Sequence, residues 1–145
     1  MTRHLFACVT AAFLGLTAAQ SAVAKPAGPD GNALVTAAVV ADVAAVAPGK
    51  PFRVGVRLTV SPGWHVYWQN PGDAGLPTVV ELRLPPGFAH KPFGFPTPVR
   101  FDQPGDVVGF GYEGELMVVA EVTPPADLPL GRPVRVSAEA DWLVC

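Results

Sequence analysis

Apolar side chains in this sequence fall on every second position, in runs cut by Pro-Gly pairs, and that pattern limits the fold more than any other feature. Phe52, Val54, Val56, Leu58 and Val60 alternate with Arg53, Gly55, Arg57 and Thr59. Successive side chains of a strand point to opposite faces of a sheet, so a period of two marks a half-buried strand and not a helix. Val80, Leu82 and Leu84 alternate with Glu81 and Arg83, and Leu116, Val118, Ala120 and Val122 are flanked by Glu115 and Glu121. The longest run sets Val134, Val136, Ala138, Ala140, Trp142 and Val144 against Arg135, Ser137, Glu139 and Asp141. Ala33 to Ala47 is alanine-rich enough for a helix, but Val35, Val39, Val40, Val43 and Val46 favour a strand. Pro48-Gly49, Pro62-Gly63, Pro71-Gly72, Pro85-Pro86-Gly87, Pro104-Gly105 and Pro124-Pro125 separate the segments. Such short, evenly spaced runs predict an all-β antiparallel sandwich of about seven strands.

Composition admits one rival. The 145 residues include 17 Pro and 15 Gly, a density at which disorder competes with folding. A disordered chain has no reason to keep its apolar residues in phase, so the alternation decides for a folded domain. Proline in a helix interior costs ~3 kcal/mol, which disfavours helices throughout. The net charge of −2 offers no basic excess for a polyanion, and nucleic-acid binding is not expected.

The first residues read as an export signal. Arg3 supplies a positive charge, Leu5 to Ala19 form an apolar run, and Ala22-Val23-Ala24 is a small-x-small cleavage site before Lys25. The run is too short to span a bilayer comfortably. Lipoprotein processing at Cys8 is disfavoured, because almost no apolar segment precedes that cysteine. The expected organisation is a signal peptide at 1–24, a Pro/Gly-rich flexible lead-in at 25–32 and one domain at 33–145, exported to the periplasm without a transmembrane segment of its own. Cleavage would leave Cys145 as the one thiol in an oxidising compartment, where it implies either an intermolecular partner or a reactive group.

Two features could carry chemistry. In Pro62-Gly63-Trp64-His65-Val66-Tyr67-Trp68-Gln69, the pair Trp64 and Trp68 shares one parity with Val66, while His65 and Tyr67 share the other. Trp64, His65, Tyr67 and Trp68 are candidate binding residues; the plainer reading puts the two tryptophans in the core and His65 on the surface. Cys145 has the parity of the polar side of the last run, opposite Trp142 and Val144. That position predicts access, which thiol–disulfide exchange requires. The nearby Glu139 and Asp141 would raise the thiol pKa and not lower it. Leu143, of the same parity, suggests partial cover or a bulge.

Other chemistries lack support. His65, His90, Met117 and Cys145 are the soft ligands available to copper or zinc, but no pair has a chelating spacing, and no metal or cofactor is expected. There is no Gly-x-Ser-x-Gly motif around Ser61 or Ser137, so nothing favours nucleophilic hydrolysis. Glu113, Glu115, Asp102 and Asp106 read as solvated charges.

The stretch Pro62-Gly63-Trp64-His65-Val66-Tyr67-Trp68-Gln69-Asn70-Pro71-Gly72-Asp73-Ala74-Gly75-Leu76-Pro77 resembles a hallmark of the N-terminal periplasmic domain of DsbD/ScsB-type protein-disulfide reductases. Ala140-Asp141-Trp142-Leu143-Val144-Cys145 is similar to the segment that ends in the first redox cysteine of that domain, and Leu82 to Phe88 and Phe95 to Pro98 also fit. The resemblance implies an immunoglobulin-like antiparallel β-sandwich. It also implies a role in carrying reducing equivalents to extracytoplasmic clients for disulfide correction, cytochrome c maturation or copper tolerance. The implied electron donor is a thioredoxin-like domain or protein, and membrane attachment would come only through further domains. Cys145 would be the first cysteine of the redox pair. The second is absent from this sequence, which leads to the expectation of the front portion of a longer reductase. The alternative is a non-enzymatic periplasmic β-sandwich that binds partners through the Trp64 to Trp68 region, with Cys145 incidental.

Overall fold

The computed structural model describes residues 33–145, so the expected signal peptide and lead-in lie outside the described residues. Nine strands follow in order among the described residues: β1 (Val35–Ala41), β2 (Phe52–Val60), β3 (Val66–Gly72), β4 (Val79–Arg83), β5 (Ala89–His90), β6 (Val99–Gln103), β7 (Val107–Tyr112), β8 (Glu115–Thr123) and β9 (Ser137–Asp141). They form a four-stranded sheet ordered β1-β2-β8-β5, a three-stranded sheet ordered β3-β7-β6 and a β4-β9 ribbon, with every pairing antiparallel. This is the expected immunoglobulin-like sandwich.

Its centre is the β2-β8 pair, where the alternation of the two sequences meets in register. Val54 faces Ala120, Val56 faces Val118 and Leu58 faces Leu116, all buried. Burial of a Val or Leu side chain stabilises by about 1.5–3 kcal/mol, so this ladder is the main apolar reserve of the domain. Val66 of β3 and Tyr112 of β7 close the same cluster from the second sheet. A smaller cluster gathers Phe52, Val54, Val122 and Val136.

Two strands are shorter than the sequence predicts. The first stops at Ala41 and does not continue to Ala47. Its partner β2 begins at Phe52, and the preceding Pro51 has no N–H to extend the ladder. Asp42 closes the pair instead, its carboxylate accepting the Arg53 backbone N–H at 2.8 Å and the guanidinium at 2.9 Å. The last run is a strand only over Ser137–Asp141 and not over Val134 to Val144. It pairs with β4, whose five residues lie between Pro77 and Pro85, so no partner backbone remains beyond either end. Past Asp141 the chain crosses to β3, where Val144 bridges Val66. The predicted parity survives this crossing: Val136 is buried, Glu139, Asp141 and Cys145 are exposed, and Leu143 is half-buried.

Candidate functional site

The crossing that shortens β9 also sets the position of Cys145. His65 donates its backbone N–H to the Cys145 carbonyl at 2.8 Å, and Cys145 returns an N–H to the His65 carbonyl at 3.1 Å. Residues opposed in this way across an antiparallel pair put their side chains on the same face, about 5 Å apart at Cβ. The neighbouring Val66 and Val144 point to the core, so His65 and Cys145 point away from it. Tyr67, two residues on from His65, shares that outer face and lies diagonally from the thiol.

What covers the face is set by β7. Register aligns Tyr67 with Gly111 and Val99, and Phe101 with Gly109. With glycines on this side of β7, side chains of β3 and β6 meet across a strand that lies between them. The His65 ring stacks on Phe101 with centroids 4.5 Å apart and meets Tyr67 edge-on at 5.0 Å. Gln103 donates its amide N–H to the Tyr67 hydroxyl at 3.5 Å. A Cβ on Gly111 would overlap the Val66 carbonyl oxygen, and one on Gly75 would overlap the Tyr67 ring. Gly75 has φ of +100°, a conformation that side chains other than glycine's rarely adopt. The segment after β3 therefore folds back tightly over Tyr67, anchored where Asp73 accepts the Val108 N–H at 2.9 Å. Thr78, itself buried, donates its hydroxyl to the Tyr67 carbonyl at 2.6 Å.

The result is a tyrosine only 3 % exposed beside a cysteine that is exposed and forms no disulfide among the described residues. Burial pushes the Tyr67 phenol above its ordinary pKa. The Gln103 amide opposes that rise, and the neighbouring Cys145 adds to it. The His65 Nε2 is buried without a hydrogen-bond partner, as is the Trp68 Nε1.

The structure thus brings Cys145, His65 and Tyr67 together. Trp64 and Trp68 are half-buried and pack against the main core cluster, as the plainer sequence reading had it. His90 of β5 and Met117 of β8 belong to the other sheet. Sequence reasoning missed Phe101, Gln103 and the glycines at 75, 109 and 111. The alternation Val99, Phe101, Gln103 against Arg100 and Asp102 could have placed the first two on one face. A groove lined by Ala44 to Val46 and Leu128 to Val134 contains no cysteine, histidine or tyrosine.

Comparison with known proteins points to the same chemistry. The family model described as "Thiol:disulfide interchange protein DsbD, N-terminal" matches residues 32–145. The crystal structure of the N-terminal periplasmic domain of ScsB from Proteus mirabilis superposes with a TM-score of 0.55 at 19 % identity, covering 83 % of this chain and 43 % of that one. At that identity the likeness establishes the fold alone. A curated ribosomal protein L11 methyltransferase from Geotalea daltonii is 35 % identical over 82 residues, 57 % of this chain. The chain spans only 24 % of that enzyme, which carries no inference about methyl transfer. With the family model covering nearly all of the sandwich, the chain belongs to the DsbD N-terminal family of thiol:disulfide interchange domains.

Proposed function

We propose that this domain works in the periplasm as the distributing module of a membrane protein-disulfide reductase, with Cys145 as the reacting thiol. The carrying observation is the pairing of Cys145 with His65, which holds an exposed thiol on the covered outer face of β3-β7-β6. The periplasmic assignment draws on the description of the ScsB domain and on the export signal expected at 1–24, before a lead-in at 25–32 and the domain at 33–145.

Exchange begins when the Cys145 thiolate attacks one sulfur of a client disulfide. A mixed disulfide forms, and the other client sulfur leaves as a thiolate that takes up a proton. A second thiol then attacks the mixed disulfide, releasing the reduced client. That thiol and the reducing equivalents come ultimately from a thioredoxin-like donor. His65 and Tyr67 lie beside the thiol and support the face on which donor and client dock. Trp64 and Trp68 support that strand from the core side.

Mixed-disulfide capture with a thioredoxin-like domain lacking its resolving cysteine checks this reading. A covalent adduct is expected with the natural chain and none with Cys145→Ser. Adducts that persist in the variant, or that never form, would leave a non-enzymatic binding module as the better description.

A further inference from the structure

A sheet edge with unpaired N–H and C=O groups is a template for another strand, and folded proteins blunt such edges with charge, proline, bulges or brevity. Among the described residues every edge but one is blunted. β5 has only two residues. β6 carries Arg100 and Asp102 and lies between Pro98 and Pro104. β3 contains Pro71, breaks register after Tyr67 and is bridged by Val144. The β4-β9 ribbon bears Glu81, Arg83, Glu139 and Asp141. β1, with the sequence Val-Thr-Ala-Ala-Val-Val-Ala, has no charge, no proline and an unbroken register with β2. We propose that this edge pairs antiparallel with the same edge of a second copy of the chain, about a two-fold axis at Val39, joining two four-stranded sheets into one. The proposal stands apart from the exchange role and does not use Cys145.

Which backbone groups are on offer follows from the bonds to β2. Ser61 donates its N–H to the Leu34 carbonyl at 2.8 Å, and Asp42 donates its N–H to the Arg53 carbonyl at 3.2 Å. Residues of an antiparallel strand turn both groups toward one neighbour and then toward the other, in alternation. The even-numbered residues from Leu34 to Asp42 therefore serve β2, and Ala37, Val39 and Ala41 present N–H and C=O to the outside. Val35 has the same parity but is fully buried, while Thr36 and Ala37 are exposed and Ala38 to Ala41 half-buried. The pairing that uses every open group sets Ala37 against Ala41 and Val39 against Val39. It leaves Val35 opposite residue 43, beyond the end of β1 at Ala41.

Side chains suit the same register. Val39 packs against both core clusters, so the odd positions lie on the core side, where Val39 of one copy meets Val39 of the other. On the outer side Ala38 faces Val40, two small side chains in a non-hydrogen-bonded pair with Cα atoms about 4.5 Å apart. Of the residues brought opposite each other only Asp42 is charged; Arg53 already holds it, and it meets the Thr36 hydroxyl. No like charges oppose one another. An unrelated peptide would have to be selected by side chains, and this strand carries no charge to select with. A few residues of edge cover far less than the roughly 1,200 Å² that a stable complex buries, so the dimer is weak.

Sedimentation velocity on the chain with Cys8→Ser and Cys145→Ser, which removes disulfide-linked species, tests this. A monomer at about 10 µM and a dimer fraction that grows up to about 1 mM are expected. Ala37→Pro takes away an outward N–H and no bond to β2, so it should keep the fold and stay monomeric throughout the series. Ala38→Glu sets its carboxylate beside Arg57 of its own chain and against Val40 and Asp42 of the other copy, and should also stay monomeric. In the same background, oxidising a mixture of Ala38→Cys and Val40→Cys chains should cross-link them several-fold faster than either variant alone. A chain that stays monomeric at the highest concentration overturns the proposal and leaves the edge to a strand of another protein. Dimers that persist in a folded edge variant overturn it too, as does cross-linking of Ala38→Cys alone that is as fast as in the mixture. If Ala37→Pro fails to fold, Ala38→Glu and the cross-linking decide the matter.

Discussion

His65 and Cys145 exchange both of their backbone hydrogen bonds, at 2.8 and 3.1 Å, next to the Val66–Val144 bridge. The thiol is therefore positioned by main chain, while its surroundings are set by side chains. Changes to the His65 ring should alter the cover over the site and leave the placement of the cysteine intact.

His65→Phe is expected to keep the stack on Phe101 and to remove a buried nitrogen that has no partner. An unsatisfied buried polar atom costs about 1–3 kcal/mol, so this variant should be more stable by about 1 kcal/mol. Urea denaturation measures it, and a lowered midpoint would show that Nε2 is satisfied in solution.

Leu116→Ala removes a fully buried side chain opposite Leu58 at the centre of the β2-β8 ladder. The expected loss is about 2–5 kcal/mol with an unchanged denaturant slope. Alkylation of Cys145 in the folded fraction should keep its natural rate, since the site lies on the other sheet's outer face.

Gly111→Ala places a Cβ against the Val66 carbonyl and the Tyr67 Cα. Overlap with main chain cannot be relieved by a rotamer, so β3 and β7 must separate. A loss of about 1–3 kcal/mol is expected, with faster Cys145 alkylation as the cover loosens. Stability and alkylation rate both equal to those of the natural chain would refute the close approach.

Burial pushes the Tyr112 phenol up to about 12 from an ordinary 10.0, and Tyr67 is raised as well. The folded chain then holds these protons more tightly than the unfolded chain does. Stability from this source is intact below about pH 10 and falls as pH rises toward 12. Tyrosinate absorbance should therefore appear late and together with loss of the fold. Full ionisation near pH 10 in a folded protein would contradict it.

The sandwich was legible because its centre obeys one rule: each odd–even step of β2 and β8 is also a step in or out of the core. The same rule put Cys145 on the outer side, and it separated His65 and Tyr67 from the two tryptophans. It overshot at Val134 to Val144, where alternation continues past the end of β4 and pairing does not. Alternation records which face a residue takes, whereas strand length depends on a partner set by Pro77 and Pro85 elsewhere in the chain. The cover over the site was illegible for a related reason. Phe101 and Gln103 reach His65 and Tyr67 across a strand that contributes no side chains there, and no local pattern encodes that span.

The glycine face of β7 has a consequence for how this family varies. Residue pairs 65 with 101 and 67 with 103 touch although their strands are not hydrogen-bonded to each other. Substitutions in one strand should be compensated in the other, two positions across the sheet. Covariation among relatives would then suggest that β3 and β6 are adjacent. A topology drawn from such couplings alone would leave out the strand that makes them possible.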